Sequence, residues 1–303
     1  MATITVLVYV VLLAGFLILR IANAGDMPAP MAWVLGVFAS SIAVYALVAW
    51  FGILAASAFA IWAALVVTGA LAIHDPAQKQ GLRVSEVVAL ALCALATLYW
   101  CWDIAGASQS YMQQEVLTTW TDQFAHAGVI SQFGDPRAAG HGAIELAGMP
   151  RPPYHYGSYM LPAALAWPLD LPGLPLATAV WVPIGFLALC AGAYTLGSVL
   201  AGPAGGFAAL GALTLVPDAA SYGLYNRLFG FYWYVLAGPS ASYAVAMCLV
   251  AFACLHRWHA TRDARGVAIA ASSVAVDPVS MNPEVCPLCC RERAAIGGVR
   301  INP

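Results

Sequence analysis

The sequence predicts an all-α, polytopic bundle of transmembrane helices with one large extracytoplasmic loop. Three observations carry this. The 303 residues are 62% hydrophobic and 9% charged, against about 25% charged in ordinary soluble domains. Mean hydropathy is +0.81. The apolar residues also run in stretches near the ~20 residues needed to cross a ~30 Å hydrocarbon core as a helix. So few charges cannot cover a water-facing surface of this size, so lipid is the expected solvent for most of the chain. The formal net charge of -2 offers no basic field for nucleic acid, and no nucleic-acid partner is expected.

Residues 1–104 are expected to hold four helices. Thr3 to Ile21 is the first run, retained because it lacks the basic start of a cleaved leader. Met31 to Ile73 is too long for one crossing and should break near Trp50, Phe51 and Gly52. Val84 to Ile104 is the fourth run. Arg20, Lys79 and Arg83 mark alternate connections as cytoplasmic. That puts residues 105–155 outside.

Residues 105–155 form an extracytoplasmic polar loop with an amphipathic helix. The loop holds Glu115, Asp122, His126, Asp135, Arg137, His141, Glu145 and Arg151, a load that no spanning helix carries. Gln113 to Gly134 reads QQEVLTTWTDQFAHAGVISQFG. As one helix it would bring Glu115, Asp122 and His126 within about 40° of a common face. A carboxylate there could act as general base toward a hydroxyl. Asp122 with His126 could hold a divalent cation such as Mg or Mn, with phosphate oxygens completing its shell.

Residues 156–257 carry the remaining crossings, about seven or eight in all. They are Tyr156 to Leu169, short for a span, then Leu174 to Leu200, Ala204 to Val216 and Trp233 to Leu255. DLPGLP and AGPAGG mark turns. At the start of this block stands RPPYHYGSYMLPA. Its prolines force an extended approach to the next helix. His155 and Tyr156 then fall in a first turn, where free N–H groups and the helix dipole favour anions. Arg151 and His155 would strengthen such a phosphate site, and Arg137 adds a further cation nearby. Tyr154, Tyr156 and Tyr159 also fit an aromatic interfacial belt. Residues 258–303 are expected to be an unstructured or aberrant tail, since Cys286, Cys289 and Cys290 lack the second ligand pair of a zinc knuckle.

Asp122 and His126 in a first large outer loop, followed by the Pro-rich YHYGSY element and a short membrane helix, resemble the GT-C class of polytopic membrane glycosyltransferases. The bacterial members in view are those related to protein O-mannosyltransferases and aminoarabinose transferases. The resemblance spans roughly residues 84 to 257. It implies a multi-pass protein of the bacterial inner (plasma) membrane and a polyprenyl-phosphate-linked sugar as donor. The acceptor would be a glycan, lipid or protein hydroxyl. Asp122, with Glu115 beside it, would be the catalytic acid group. Arg151, His155, Tyr156 and Arg137 would contact substrate, and His126 would act directly or with Asp122 through a metal. Complete enzymes of that class are longer, so the resemblance implies a truncated chain. A transporter would place ionisable groups inside its spans, which these apolar runs do not. A non-catalytic assembly partner would survive joint replacement of Asp122, His126 and His155.

Overall fold

A computed structural model describes residues 27–73, 83–116, 121–137, 156–216 and 238–261. Among the described residues every regular element is helical. Four helices are long and apolar enough to cross a membrane by length and composition, and a shorter apolar one covers Ala55–Thr68. This is compatible with a membrane protein. The expected first run, Thr3 to Ile21, and residues 262–303 of the expected tail lie outside the described residues, while residues 258–261 end a helix instead of opening an unstructured tail.

Helix α1, Ala29–Phe51, starts behind Pro28 with Pro30 in its first turn, where a missing N–H costs nothing. It stops at Gly52, whose φ of 63° lets its N–H return to the Val48 carbonyl, a left-handed stop suited to glycine. Helix α2, Ala55–Ile73, follows at once. The expected break at Trp50–Gly52 is therefore where the chain divides.

Helix α3, Val84–Gln114, opens with the Arg83 N–H donating to the Glu86 carboxylate at 3.3 Å. Its faces are sorted as lipid solvation demands. Cys93, Thr97, Cys101 and Ser108 point into the protein, while Leu95, Leu98, Tyr99 and Trp102 are exposed. Small and weakly polar residues go inside because close backbone approach holds membrane helices together. The hydroxyls in these helices satisfy themselves locally. Ser41, Thr97, Thr195 and Thr214 each donate to the carbonyl four residues back, at 2.7–2.8 Å, the economical solution where water is absent.

The polar loop does not begin at Ala105. Helix α3 continues through Gln114, ten residues beyond the expected end. Polarity ends a span without ending a helix, and AGASQSYMQQ contains no proline. At 1.5 Å per residue, α3 is about 46 Å long, so about three turns project past a ~30 Å core. Helix α4, Asp122–Gly134, meets this end of α3 through Phe124, whose ring lies 5.2 Å from that of Tyr111.

After Tyr156–Tyr159, a 3-10 turn, comes α5, Met160–Leu169. Together they extend about 23 Å, short of a full crossing. Residues 160–166 are buried throughout, so the segment packs inside the bundle. Of the two readings open for 156–169, a short crossing or a re-entrant piece, the burial of residues 160–166 in a short helix favours the second. A short helix α6, Gly173–Leu176, a π turn at Ala177–Trp181, and α7, Val182–Leu215, then run on continuously. The π turn precedes Pro183, whose ring would press on the Ala179 carbonyl in a regular turn; the wider turn gives it room.

Helix α7 is two arms. Ala201 and Gly202 leave helical geometry, with Gly202 at φ 71°, ψ −174°, a region open to glycine alone. A Cβ on Gly197 would stand 2.5 Å from the Gly205 carbonyl oxygen and 2.8 Å from the Ala209 side chain. In a straight helix residues eight apart are separated by about 12 Å. The chain therefore doubles back, arms 182–200 and 203–215 lie side by side, and the expected turn at AGPAGG is present. Arm 173–200 is the central strut of the molecule. Helices α1, α3 and α8, Ser240–Thr261, pack around it. Gly192 admits the Ala246 backbone of α8, a Cβ there falling 3.1 Å from its oxygen.

Candidate functional site at the end of the bundle

The expected helix from Gln113 to Gly134 is not continuous. Glu115 closes α3 in the left-handed conformation, φ 56°, ψ 19°, with its N–H on the Tyr111 carbonyl. Asp122 opens a separate helix. Glu115 therefore shares no helix face with Asp122, and the three-residue face reduces to Asp122 and His126. The reason visible in the described residues is Glu115 itself, whose left-handed backbone cannot continue a right-handed helix. Asp122 and His126 are neighbours one turn apart on α4, Asp122 exposed and His126 partly buried.

Helix α4 is docked rather than solvated on all sides. Seven of its 13 residues are buried. Gly134 lies against α5, where a Cβ would meet the Ala163 oxygen at 2.5 Å. Gly173, opening α6, presses on the backbone of Ala127. These two contacts hold α4 across the bundle end and set where His126 falls.

His126 enters a stack of rings. Its Nδ1 is 2.9 Å from the Tyr159 hydroxyl. Its ring centroid lies 4.5 Å from that of Trp181 and 5.9 Å from that of Tyr159. Tyr159 and Trp181 are stacked at 4.5 Å and 24°, and Tyr243 continues the stack at 6.3 Å and 21°. The Tyr243 hydroxyl donates to the Trp181 carbonyl at 2.8 Å, and Gly185 leaves room for the Tyr243 ring. Tyr159 and Trp181 are completely buried. The Trp181 indole N–H has no acceptor among the described residues, a cost accepted for the ring contacts around it.

Tyr156 stands in the 3-10 turn rather than an α-helical first turn. It is buried, stacked on Tyr45 at 6.2 Å and edge-on to Phe133 at 5.2 Å. Tyr156 and Tyr159 therefore pack inside the bundle, not in an interfacial belt. Arg137 is 86% exposed and forms a two-toothed pair with Asp135, shortest contact 2.7 Å. Hydrogen bonding from Arg137 holds the Asp135 carboxyl below its ordinary value of 3.8. Arg151 and His155, the expected phosphate contacts, lie outside the described residues, as do His141 and Glu145.

A divalent cation would find Asp122 and His126 as two protein ligands. Among the described residues no group of three or more His, Cys, Asp or Glu side chains is placed to hold one, and Nδ1 of His126 is engaged by Tyr159. The described donor set does not make a metal centre. Compared with protein families, characterised proteins and solved structures, the chain matches none. Trp181 and Tyr243 escaped the reading of the sequence, and Tyr159 was read only as a belt residue. In apolar runs such as ATAVWVPIG, aromatic residues look like core or lipid-facing residues. Only Pro183, close behind Trp181, hints at irregular backbone.

Proposed function

We propose that this chain is an integral membrane glycosyltransferase that moves a sugar from a polyprenyl-phosphate donor to an acceptor hydroxyl at the outer face of a multi-pass plasma membrane. The observation that carries the reading is the pairing on α4. An exposed carboxylate, Asp122, stands one turn from a half-buried imidazole, His126, which Tyr159 and Trp181 hold in place. The pair lies at the end of a bundle whose outer surface is apolar, so a lipid-borne head group can reach it from the bilayer.

In the proposed reaction Asp122 accepts the proton of the acceptor hydroxyl. The oxygen attacks the anomeric carbon, and the bond to the lipid phosphate breaks with its electron pair staying on phosphate. Charge growing on that leaving group needs donors; His126, with Arg151 and His155 from the adjoining segment, supplies them. The proposed step draws on neither Glu115, which closes another helix, nor Arg137, which is paired with Asp135.

Asp122→Asn should lower turnover 10²–10⁴-fold, the range for a lost general base, with membrane insertion unchanged. The measurement is transfer from a defined polyprenyl-phosphate sugar in proteoliposomes. Wild-type turnover in the Asn variant would remove Asp122 from the mechanism. Uptake of solute with no transfer by the wild-type protein would favour a transporter.

A further inference from the structure

We infer that Tyr159 is a positioning residue that fixes His126 as a hydrogen-bond donor, dividing the work of the site between Asp122 as base and His126 as N–H donor; this rests on the transferase reading above. A phenol O–H is a good donor and a poor acceptor, whereas an unprotonated imidazole nitrogen is a good acceptor. At 2.9 Å the favoured arrangement has the Tyr159 O–H donating to Nδ1. The proton of the neutral ring then sits on Nε2. Whatever Nε2 meets, it meets as a donor, and neither nitrogen offers a lone pair to a metal or a hydroxyl proton.

The surroundings fix the geometry of this contact. Tyr159 is completely buried and its ring is clamped on Trp181 at 4.5 Å. Trp181 is itself anchored through its carbonyl by Tyr243. The Trp181 ring, 4.5 Å from that of His126, limits the tilt of the imidazole. The hydroxyl oxygen of Tyr159 therefore has a defined position beside Nδ1, and the direction of the proton between them sets the tautomer of His126. Tyr159→Phe deletes one oxygen and keeps the ring stack.

The test uses the full chain, labelled with 15N-histidine, in lipid nanodiscs at pH 8, above the ordinary histidine value of about 6.5. The His126 signals are identified by their loss in His126→Gln. Wild-type protein should show Nδ1 unprotonated and Nε2 protonated, and Tyr159→Phe should shift the ring to a mixture of tautomers. Its kcat for sugar transfer should fall about tenfold with KM little changed, the scale of one lost neutral hydrogen bond. A proton on Nδ1 in the wild-type protein overturns the inference, and needs no folded variant to do so. Unchanged His126 signals in Tyr159→Phe, or unchanged kcat, also overturn it. A wild-type protein with the expected tautomer that transfers no sugar sinks the transferase reading and leaves the Tyr159–His126 assignment standing.

Discussion

Glu115 occupies φ 56°, ψ 19°, a conformation that costs a residue with a Cβ roughly 1–2 kcal/mol. Its side chain is exposed, and only its N–H is used, on Tyr111. Glycine adopts this conformation freely but loses more chain entropy on folding. Glu115→Gly should therefore stabilise the protein by about 0.5–1 kcal/mol, read as a higher thermal midpoint in detergent. A lower midpoint would mean that the carboxylate holds a contact of its own. Asp170 has the same geometry at the end of α5, φ 49°, with the Leu171 N–H reaching the Ala166 carbonyl at 3.0 Å. Composition marked Glu115 as an acid in a polar loop. It could not show that the backbone reverses there, because a helix end depends on what the next residues pack against.

At the scale of elements, glycine decides where helices meet. Gly202 allows the two arms of α7 to fold together, and Gly197 with Gly205 lets them touch. Gly202→Ala should cost about 1–3 kcal/mol and open the hairpin. The check is loss of a cross-link between cysteines introduced at positions 194 and 207, whose native rings face each other across the arms at 5.2 Å, with an unchanged yield refuting the hairpin. AGPAGG was readable as a turn since glycine and proline break helices by local sterics. The fate of Tyr156 to Leu169 was not. Its apolar core reads like part of a span, and its shortness and the burial of residues 160–166 separate the two. The pairing of Asp122 with His126 followed from spacing alone. The loss of Glu115 from that face did not, because spacing assumes a continuous helix, and α3 ends at Gln114.

For the whole molecule the question is which lengths of helix stand in lipid. Helix α3 presents Leu95, Leu98 and Trp102 outward and then continues into AGASQSYMQQ. A cysteine at position 113 should react readily with a membrane-impermeant maleimide in intact vesicles of one orientation. A cysteine at position 95 should stay unlabelled until detergent is added. Equal labelling at both positions would show that α3 does not cross at the expected depth. The same arrangement brings α4 to the projecting end of α3, where the rings of Tyr111 and Phe124 meet at 5.2 Å.

By itself the amino-acid order determined the solvent, the helical class, the break at Gly52 and the turn at AGPAGG. Each depends on transfer free energy or on sterics within a few residues, which are local quantities. The ring stack around His126 was decided only in three dimensions. It joins α4, the turn before α5, the π turn and α8, segments up to 117 positions apart counted from His126 to Tyr243 (243 minus 126). No spacing rule reaches that far, because what brings those rings together is the docking of α4 through Gly134 and Gly173 and of α8 through Gly185 and Gly192.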